Sequence, residues 1–119
     1  MESAILKQKI IDVLEDKKAR GIIAIYVENV TILADYFIIC NGTSSTHIRT
    51  LADDVEKSLR DNCGQECRHM EGYSSARWIL LDYGDVVLHI FNEEDRRFYD
   101  IERLWSDGII TRNNAEHSI

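Results

Sequence analysis

Residues 77–92 constrain the fold of this chain most strongly, because they carry the pattern of an antiparallel β-hairpin. Two apolar runs flank Gly84 and Asp85, and a two-residue loop of this composition favours a tight turn. With this loop, Tyr83 pairs with Val86, and strand alternation places four aliphatic side chains on one face. We expect this face to pack inward, since its exposure would promote aggregation. It consists of Ile79, Leu81, Leu88 and Ile90.

The opposite face of the hairpin is mixed and aromatic. Trp78 on this face has two interpretations, because a large aromatic residue on a strand often belongs to the core, whereas tryptophan is also enriched at binding hot spots. His89 and Asp82 are residue types that can form an acid–base pair. The register places them diagonally across the two strands rather than opposite each other, which favours a structural role for the histidine. The face bears Trp78, Leu80, Asp82, Val87, His89 and Phe91.

The first part of the chain predicts one helix and two strands. Ser3 is expected to cap the helix and Gly21 to end it. Its apolar stripe has the 3.6-residue period of a helix and consists of Leu6, Ile10, Val13 and Leu14. Continuous apolar runs at residues 22–27 and 36–40 then predict two buried strands.

The remaining elements complete an α/β pattern. A turn at residues 41–46 leads into a second helix that Gly64 ends, and residues 65–70 suit a short edge strand. Asn92 is expected to cap a last helix. The order α-β-β-α-β-β-β-α predicts a mixed β-sheet with packed helices. The second helix buries Ile48, Leu51, Ala52, Val55 and Leu59, and the last one Phe98, Ile101, Leu104 and Trp105.

The length of 119 residues supports one domain. We expect residues 1–108 to form it and residues 109–119 to be a flexible C-terminal tail. The longest apolar run, residues 22–27, is far shorter than the roughly 20 residues that a bilayer helix needs. Lys7 and Lys9 interrupt any secretory signal, and three cysteines then indicate reduced thiols in the cytoplasm.

The charge of the chain separates classes of partner. The formal net charge is −7, and residues 21–119 hold nine basic and 17 acidic residues, a balance of −8. Phosphate backbones repel such a surface, and their neutralisation normally supplies most of the affinity for nucleic acid. We therefore expect no nucleic acid as the main target and favour a basic protein partner.

A loop between the second strand and the second helix could bind phosphate, because backbone amides point there. It lacks both glycine-rich nucleotide-binding signatures, and none of the predicted strands offers the alternating carboxylates with which a nucleotidyl transferase holds two Mg²⁺ ions. We interpret it as a plain junction, and a small nucleotidyl or phosphoryl transferase is the alternative. The loop consists of Asn41, Gly42, Thr43 and Ser44.

Three residues have a spacing that could donate metal ligands: Cys63, Cys67 and His69, with Cys40 as a remote fourth. Structural zinc sites usually present two such knuckles, and only one half is present here. We expect unligated thiols, no metal and no cofactor, and a metal-dependent regulator stays as a further alternative.

Several segments together resemble a known family. They are A-D-Y-F-I-I at residues 34–39, the turn through Ser44, E-G-Y at 71–73, W-I-L-L-D-Y-G-D-V-V-L-H-I-F at 78–91, R-F-Y at 97–99 and R-L-W at 103–105. From about residue 5 to 108 the chain resembles the ribosomal silencing factor family, also called Iojap. The resemblance implies a nucleotidyltransferase-like fold without the catalytic carboxylates, and therefore no enzyme.

The same resemblance implies a function in translation. Members of the family bind ribosomal protein fourteen of the large subunit and block joining of the small subunit, which lowers translation when nutrients are scarce. They often form homodimers, and a bacterial cytoplasmic protein is the expected source. We expect the mixed hairpin face to dock on the ribosomal protein, with Trp78 as the anchor and Asp82 opposite a lysine or arginine. The expected partner-binding residues are Trp78, Leu80, Asp82 and His89.

Overall fold

The computed structural model describes residues 1–28, 31, 33–105 and 108–112. In chain order the elements of this part are α1 (Ser3–Asp16), β1 (Arg20–Tyr26), β2 (Tyr36–Asn41), α2 (Ser45–Cys63), β3 (His69–Glu71), β4 (Trp78–Asp82), β5 (Val86–Phe91), α3 (Glu93–Tyr99), α4 (Ile101–Leu104) and β6 (Ile109–Arg112). They confirm the predicted mixed sheet with packed helices.

The strands form one sheet in the order β3-β4-β5-β2-β1-β6. β2 and β5 are parallel, and every other neighbouring pair is antiparallel. β2 and β5 lie at the centre of the sheet. The two continuous apolar runs of the sequence form β1 and β2, which are buried as expected for strands covered on both faces. The nucleotidyltransferase-like classification stays a prediction from the resemblance.

Helices α1 and α2 cover one face of the sheet and enclose the larger part of the core. The predicted stripe of α2 is fully buried, from the Ser44 cap to the left-handed Gly64. The apolar hairpin face packs against these helices, and its four aliphatic side chains have no exposed area. The predicted hairpin register is confirmed, since Ile79 pairs with Ile90 and Leu81 with Leu88.

The ends of α1 differ from the prediction. Glu2 rather than Ser3 occupies the cap position, without a side-chain hydrogen bond, and the helix ends at Asp16. The left-handed residue after the helix is Lys18, whereas Gly21 lies in β1 with a φ of 60°. The register between β1 and β2 shifts between Arg20 and Ile23. The glycine therefore permits an irregular strand, because a bulge needs a residue that tolerates positive φ.

The last predicted helix is two short helices, α3 and α4. Asn92 caps α3 as expected, since its Oδ1 accepts a hydrogen bond of 2.7 Å from the backbone N–H of Asp95. Asp100 between the helices has a φ of 45° and a ψ of 50°. This break changes the helical phase, so the predicted buried stripe is wrong for Phe98, which is 79% exposed, and Leu104, which is 75% exposed.

The two edge strands of the sheet differ from the prediction in their position or their presence. β3 lies at one edge and begins at His69, near the end of the segment expected to hold it. At the other edge, β6 pairs with β1, although residues 109–112 were expected in a flexible tail. The local sequence does not predict this strand, because its pairing partner β1 lies far away in the chain. The remaining tail residues, 113–119, lie outside the described residues.

Within the described part of the chain, no helix has the length and apolar character needed to cross a membrane.

Candidate partner-binding surface

The four residues predicted to bind a partner lie together on the sheet face opposite α1 and α2. Alternation along β4 and β5 places them there, in cross-strand pairs that join Trp78 to Phe91, Leu80 to His89 and Asp82 to Val87. Helices α3 and α4 cover only part of this face. We call the six paired side chains of β4 and β5 the Trp78 face.

Trp78 is half-buried, so it belongs neither wholly to the core nor wholly to the surface. Its ring stacks on Phe91 with centroids 4.7 Å apart and an interplanar angle of 29°. Tyr99 of α3 lies 4.9 Å away on the basis of ring centroids. The Trp78 Nε1–H donates a hydrogen bond of 3.1 Å to His89 Nδ1. These contacts hold a large aromatic side chain in one orientation while part of it stays accessible.

His89 is the buried hydrogen-bond partner of Trp78. Only 7% of this residue is exposed, and burial lowers the pKa of its imidazole to about 4. A neutral ring that accepts at Nδ1 carries its proton on Nε2, and Nε2 has no hydrogen-bond partner among the described residues. The ring of Phe37 stands edge-on to it at 5.4 Å. His89 therefore presents little surface to a partner, and its part in this site is to orient Trp78.

Asp82 has a local role in the turn. Its Oδ1 accepts a hydrogen bond of 2.7 Å from the backbone N–H of Gly84. It forms no ion pair with any residue that the structure describes, and it is half-exposed. Leu80 beside it and Val87 opposite it are also half-buried. This end of the Trp78 face thus offers apolar area next to an unpaired carboxylate.

The structure adds three residues that sequence reasoning did not place at this site. A cavity of about 500 Å³ opens between Trp78 and α3, and its lining includes Glu94, Phe98 and Tyr99. The sequence pattern places Phe98 in the core, because its helical periodicity continues through Asp100. An acidic first turn followed by two adjacent aromatic residues was the available signal, but it does not reveal exposure.

The loop at residues 41–44 is closed by internal hydrogen bonds. The backbone N–H of Gly42 donates to the carbonyl oxygen of Phe91 at 3.0 Å, and that of Thr43 donates to His47 Nδ1 at 2.9 Å. The His47 N–H donates to Ser44 Oγ at 3.0 Å. These three amides are therefore not available to a phosphate group. β1, β2 and β5 also carry no aspartate or glutamate.

The cysteines are packed as thiols. Cys40 is fully buried, and burial raises its pKa to about 12. Cys67 donates from Sγ to the carbonyl oxygen of His69 at 3.1 Å. Among the described residues, no group of three or more histidine, cysteine, aspartate or glutamate side chains is arranged to hold a metal ion.

Comparisons with known proteins agree with the resemblance seen in the sequence. A family model described as ribosomal silencing factor during starvation (RsfS) matches residues 1–118. The ribosomal silencing factor RsfS of Halalkalibacterium halodurans is 36% identical over 108 residues, which are 91% of this chain and 92% of that protein. The RsfS of Bacillus subtilis is 40% identical over 94 residues, 79% of each chain.

The fold agrees as well. A crystal structure of a protein from Chromobacterium violaceum superimposes with a TM-score of 0.86 at 35% identity, covering 89% of this chain and 88% of the other. Because the family model spans nearly the whole sequence and two relatives exceed 30% identity over most of their length, the chain belongs to the RsfS family of ribosomal silencing factors.

Proposed function

We propose that this chain binds the large ribosomal subunit through ribosomal protein fourteen and thereby blocks joining of the small subunit. The observation that carries the proposal, beside family membership, is the Trp78 face: an oriented, half-exposed tryptophan that shares its face with apolar area and the unpaired carboxylate of Asp82. The proposal includes a cytoplasmic location, which the similarity to bacterial silencing factors supports.

The mechanism requires mass action and no chemistry. A factor that binds the free large subunit but not the joined ribosome shifts the joining equilibrium by an amount set by its concentration relative to its dissociation constant. At 100 times that constant, joining is weakened by about 2.7 kcal/mol.

Charge supports a protein target rather than RNA. A chain with a net charge of −7 is attracted to a basic ribosomal protein and repelled by the phosphates around it. Complementary charge of this kind raises the rate of encounter and discriminates against wrong partners. Asp82 has a carboxylate that no described cation neutralises, so it suits a lysine or arginine of the partner.

Trp78 supplies the desolvated contact area. Truncating such an aromatic anchor typically costs about 2 kcal/mol or more, which is roughly thirtyfold in affinity. His89 contributes indirectly, because its hydrogen bond limits the orientations of the indole ring. A side chain that is already oriented loses less entropy on binding.

The test is Trp78→Ala in a subunit-joining assay. Purified large and small subunits are mixed with increasing protein, and joined ribosomes are quantified on sucrose gradients. We expect the variant to need roughly thirtyfold more protein for the same inhibition. The matched control is Tyr73→Ala, because Tyr73 is an exposed aromatic residue on the α2 side, hydrogen-bonded to Asp53.

Circular dichroism and a thermal transition establish that both variants are folded. A folded Trp78→Ala variant that inhibits joining as well as the parent would contradict the proposed face. Sedimentation with naked ribosomal RNA as strong as that with intact large subunits would contradict the proposed target.

We also propose that the chain forms a homodimer. Leu104 and Phe98 expose large apolar area, and a domain of this size leaves about a third of its unfolded surface accessible. Light scattering at high protein concentration should give twice the chain mass of 13.8 kDa. A strict monomer would contradict this.

A further inference from the structure

The cavity between β4 and α3 combines aromatic rings with carboxylates. Trp78, Tyr99 and Phe98 lie on its apolar side, with ring centroids 4.9 Å apart for Trp78 and Tyr99 and 5.0 Å apart for Tyr99 and Phe98. The cavity is an open depression of about 500 Å³, which is large enough to receive a side chain. Phe98 is 79% exposed and Tyr99 47% exposed, which is unusual for side chains of this size.

The charges at the rim are not balanced. Arg77 and Asp95 neutralise each other through two hydrogen bonds of 3.0 and 2.6 Å. Glu94 lines the same cavity, is exposed, and forms no hydrogen bond or ion pair with any residue that the structure describes. The pocket thus carries one uncompensated negative charge beside its aromatic rings.

Among the described residues, the one cation that lines the pocket, Arg77, is paired with Asp95, and no described cation stacks on the pocket's aromatic rings. The described cation–π contacts join Lys7 to Tyr36 and Arg49 to Tyr73, and neither involves the rings of this pocket. Aromatic faces attract cations through their quadrupole, and the attraction is strongest for tryptophan.

We propose that this pocket binds an arginine side chain of the protein partner. A planar, weakly hydrated guanidinium stacks on aromatic rings and directs its N–H groups to a carboxylate, which a compact, strongly hydrated ammonium does less well. The Glu94 carboxylate repels a phosphate or carboxylate ligand, so the pocket itself also selects against RNA. The identity of the partner rests on the proposed function, whereas the chemistry of the pocket does not.

The test uses N-acetyl-arginine amide as a probe and needs no ribosome. The indole N–H resonance of Trp78 is followed by nuclear magnetic resonance at constant ionic strength, with N-acetyl-citrulline amide as the neutral isostere. Trp105, which packs edge-on to Phe37 rather than in this pocket, supplies an internal reference resonance. We expect a saturable shift of the Trp78 signal with arginine, and little shift with citrulline or at Trp105.

Two variants locate the binding site. Glu94→Gln removes the charge at an exposed position without a partner, and Phe98→Leu keeps an apolar side chain but removes the ring. Each should weaken binding of the probe about threefold, as expected for one exposed charge pair or one cation–π contact. Arg103→Gln on α4, an exposed residue outside the pocket lining, should leave probe binding unchanged.

Equal shifts with citrulline, equal binding of N-acetyl-lysine amide, or unchanged binding by both pocket variants would overturn the proposal. If the probe fails while large subunits are still bound through Trp78, the pocket assignment is wrong and the proposed function stands. If the probe binds as expected while Trp78→Ala still blocks subunit joining, the proposed docking face is wrong and the pocket chemistry stands.

Discussion

His89 makes the stability of this protein depend on pH in a calculable way. Its imidazole is buried, and the Nδ1 atom accepts the hydrogen bond from Trp78. Protonation would place a second N–H opposite the Trp78 N–H and a charge in the interior. Burial therefore lowers the pKa from its ordinary value of 6.5 to about 4.

The sign of the effect follows from proton uptake. Between pH 6.5 and about 4 the unfolded chain binds more protons at this residue than the folded chain, so the free energy of unfolding falls as the pH is lowered. The contribution is fully present above pH 6.5 and is worth about 3 kcal/mol when the whole interval has been crossed. At pH 4.5 the loss is about 2 to 3 kcal/mol, a large share of the 5–15 kcal/mol typical of a domain.

The measurement is urea unfolding of the parent and His89→Gln at pH 7 and pH 4.5. Glutamine keeps an oxygen that can accept from Trp78 but does not titrate. The parent should lose about 2 to 3 kcal/mol more than the variant between these two pH values. Asp95, whose pKa Arg77 lowers by a hydrogen bond, also loses stabilisation in acid, but it does so in both proteins and cancels in the difference.

Equal losses in the parent and in His89→Gln would refute this reasoning. A second measurement applies even if the variant folds poorly. The imidazole resonances of His89 in the parent should not titrate above pH 5, and a midpoint near 6.5 would show that the ring is not desolvated as the structure indicates.

Three further substitutions test packing on the two faces of the hairpin and beside it. Ile90→Ala should lower the free energy of unfolding by about 3 kcal/mol because Ile90 is fully buried. Phe98→Ala should change it by less than about 0.5 kcal/mol because Phe98 is exposed. If denaturant unfolding gave similar losses for both variants, Phe98 would be buried, as the continuous helix predicted from the sequence requires. Gly72→Ala should destabilise by more than about 1 kcal/mol, since Gly72 has a φ of 83° and an added Cβ would lie 2.0 Å from the Trp78 carbonyl oxygen; an unchanged thermal midpoint would contradict this local geometry.

The sequence by itself determined the elements whose signals are local. The hairpin register follows from the two-residue alternation on each side of Gly84 and Asp85, and the four residues of the proposed site share a face for that reason. The limits of α2 follow from a cap at Ser44 and a glycine at position 64, which act on adjacent backbone groups. The resemblance to the family also depended on the hairpin, because residues 78–91 carry the most specific motif.

Tertiary structure alone decided which side chains of the Trp78 face and of α3 are buried and which are accessible. The hydrogen bond between Trp78 and His89 joins residues on two strands, and the exposure of Phe98 depends on the left-handed Asp100, which shifts the helical phase. β6 acquires its structure by pairing with β1 across the chain. Periodicity reports which residues share a face, but exposure is set by what packs against that face, and here the packing partners are distant in sequence.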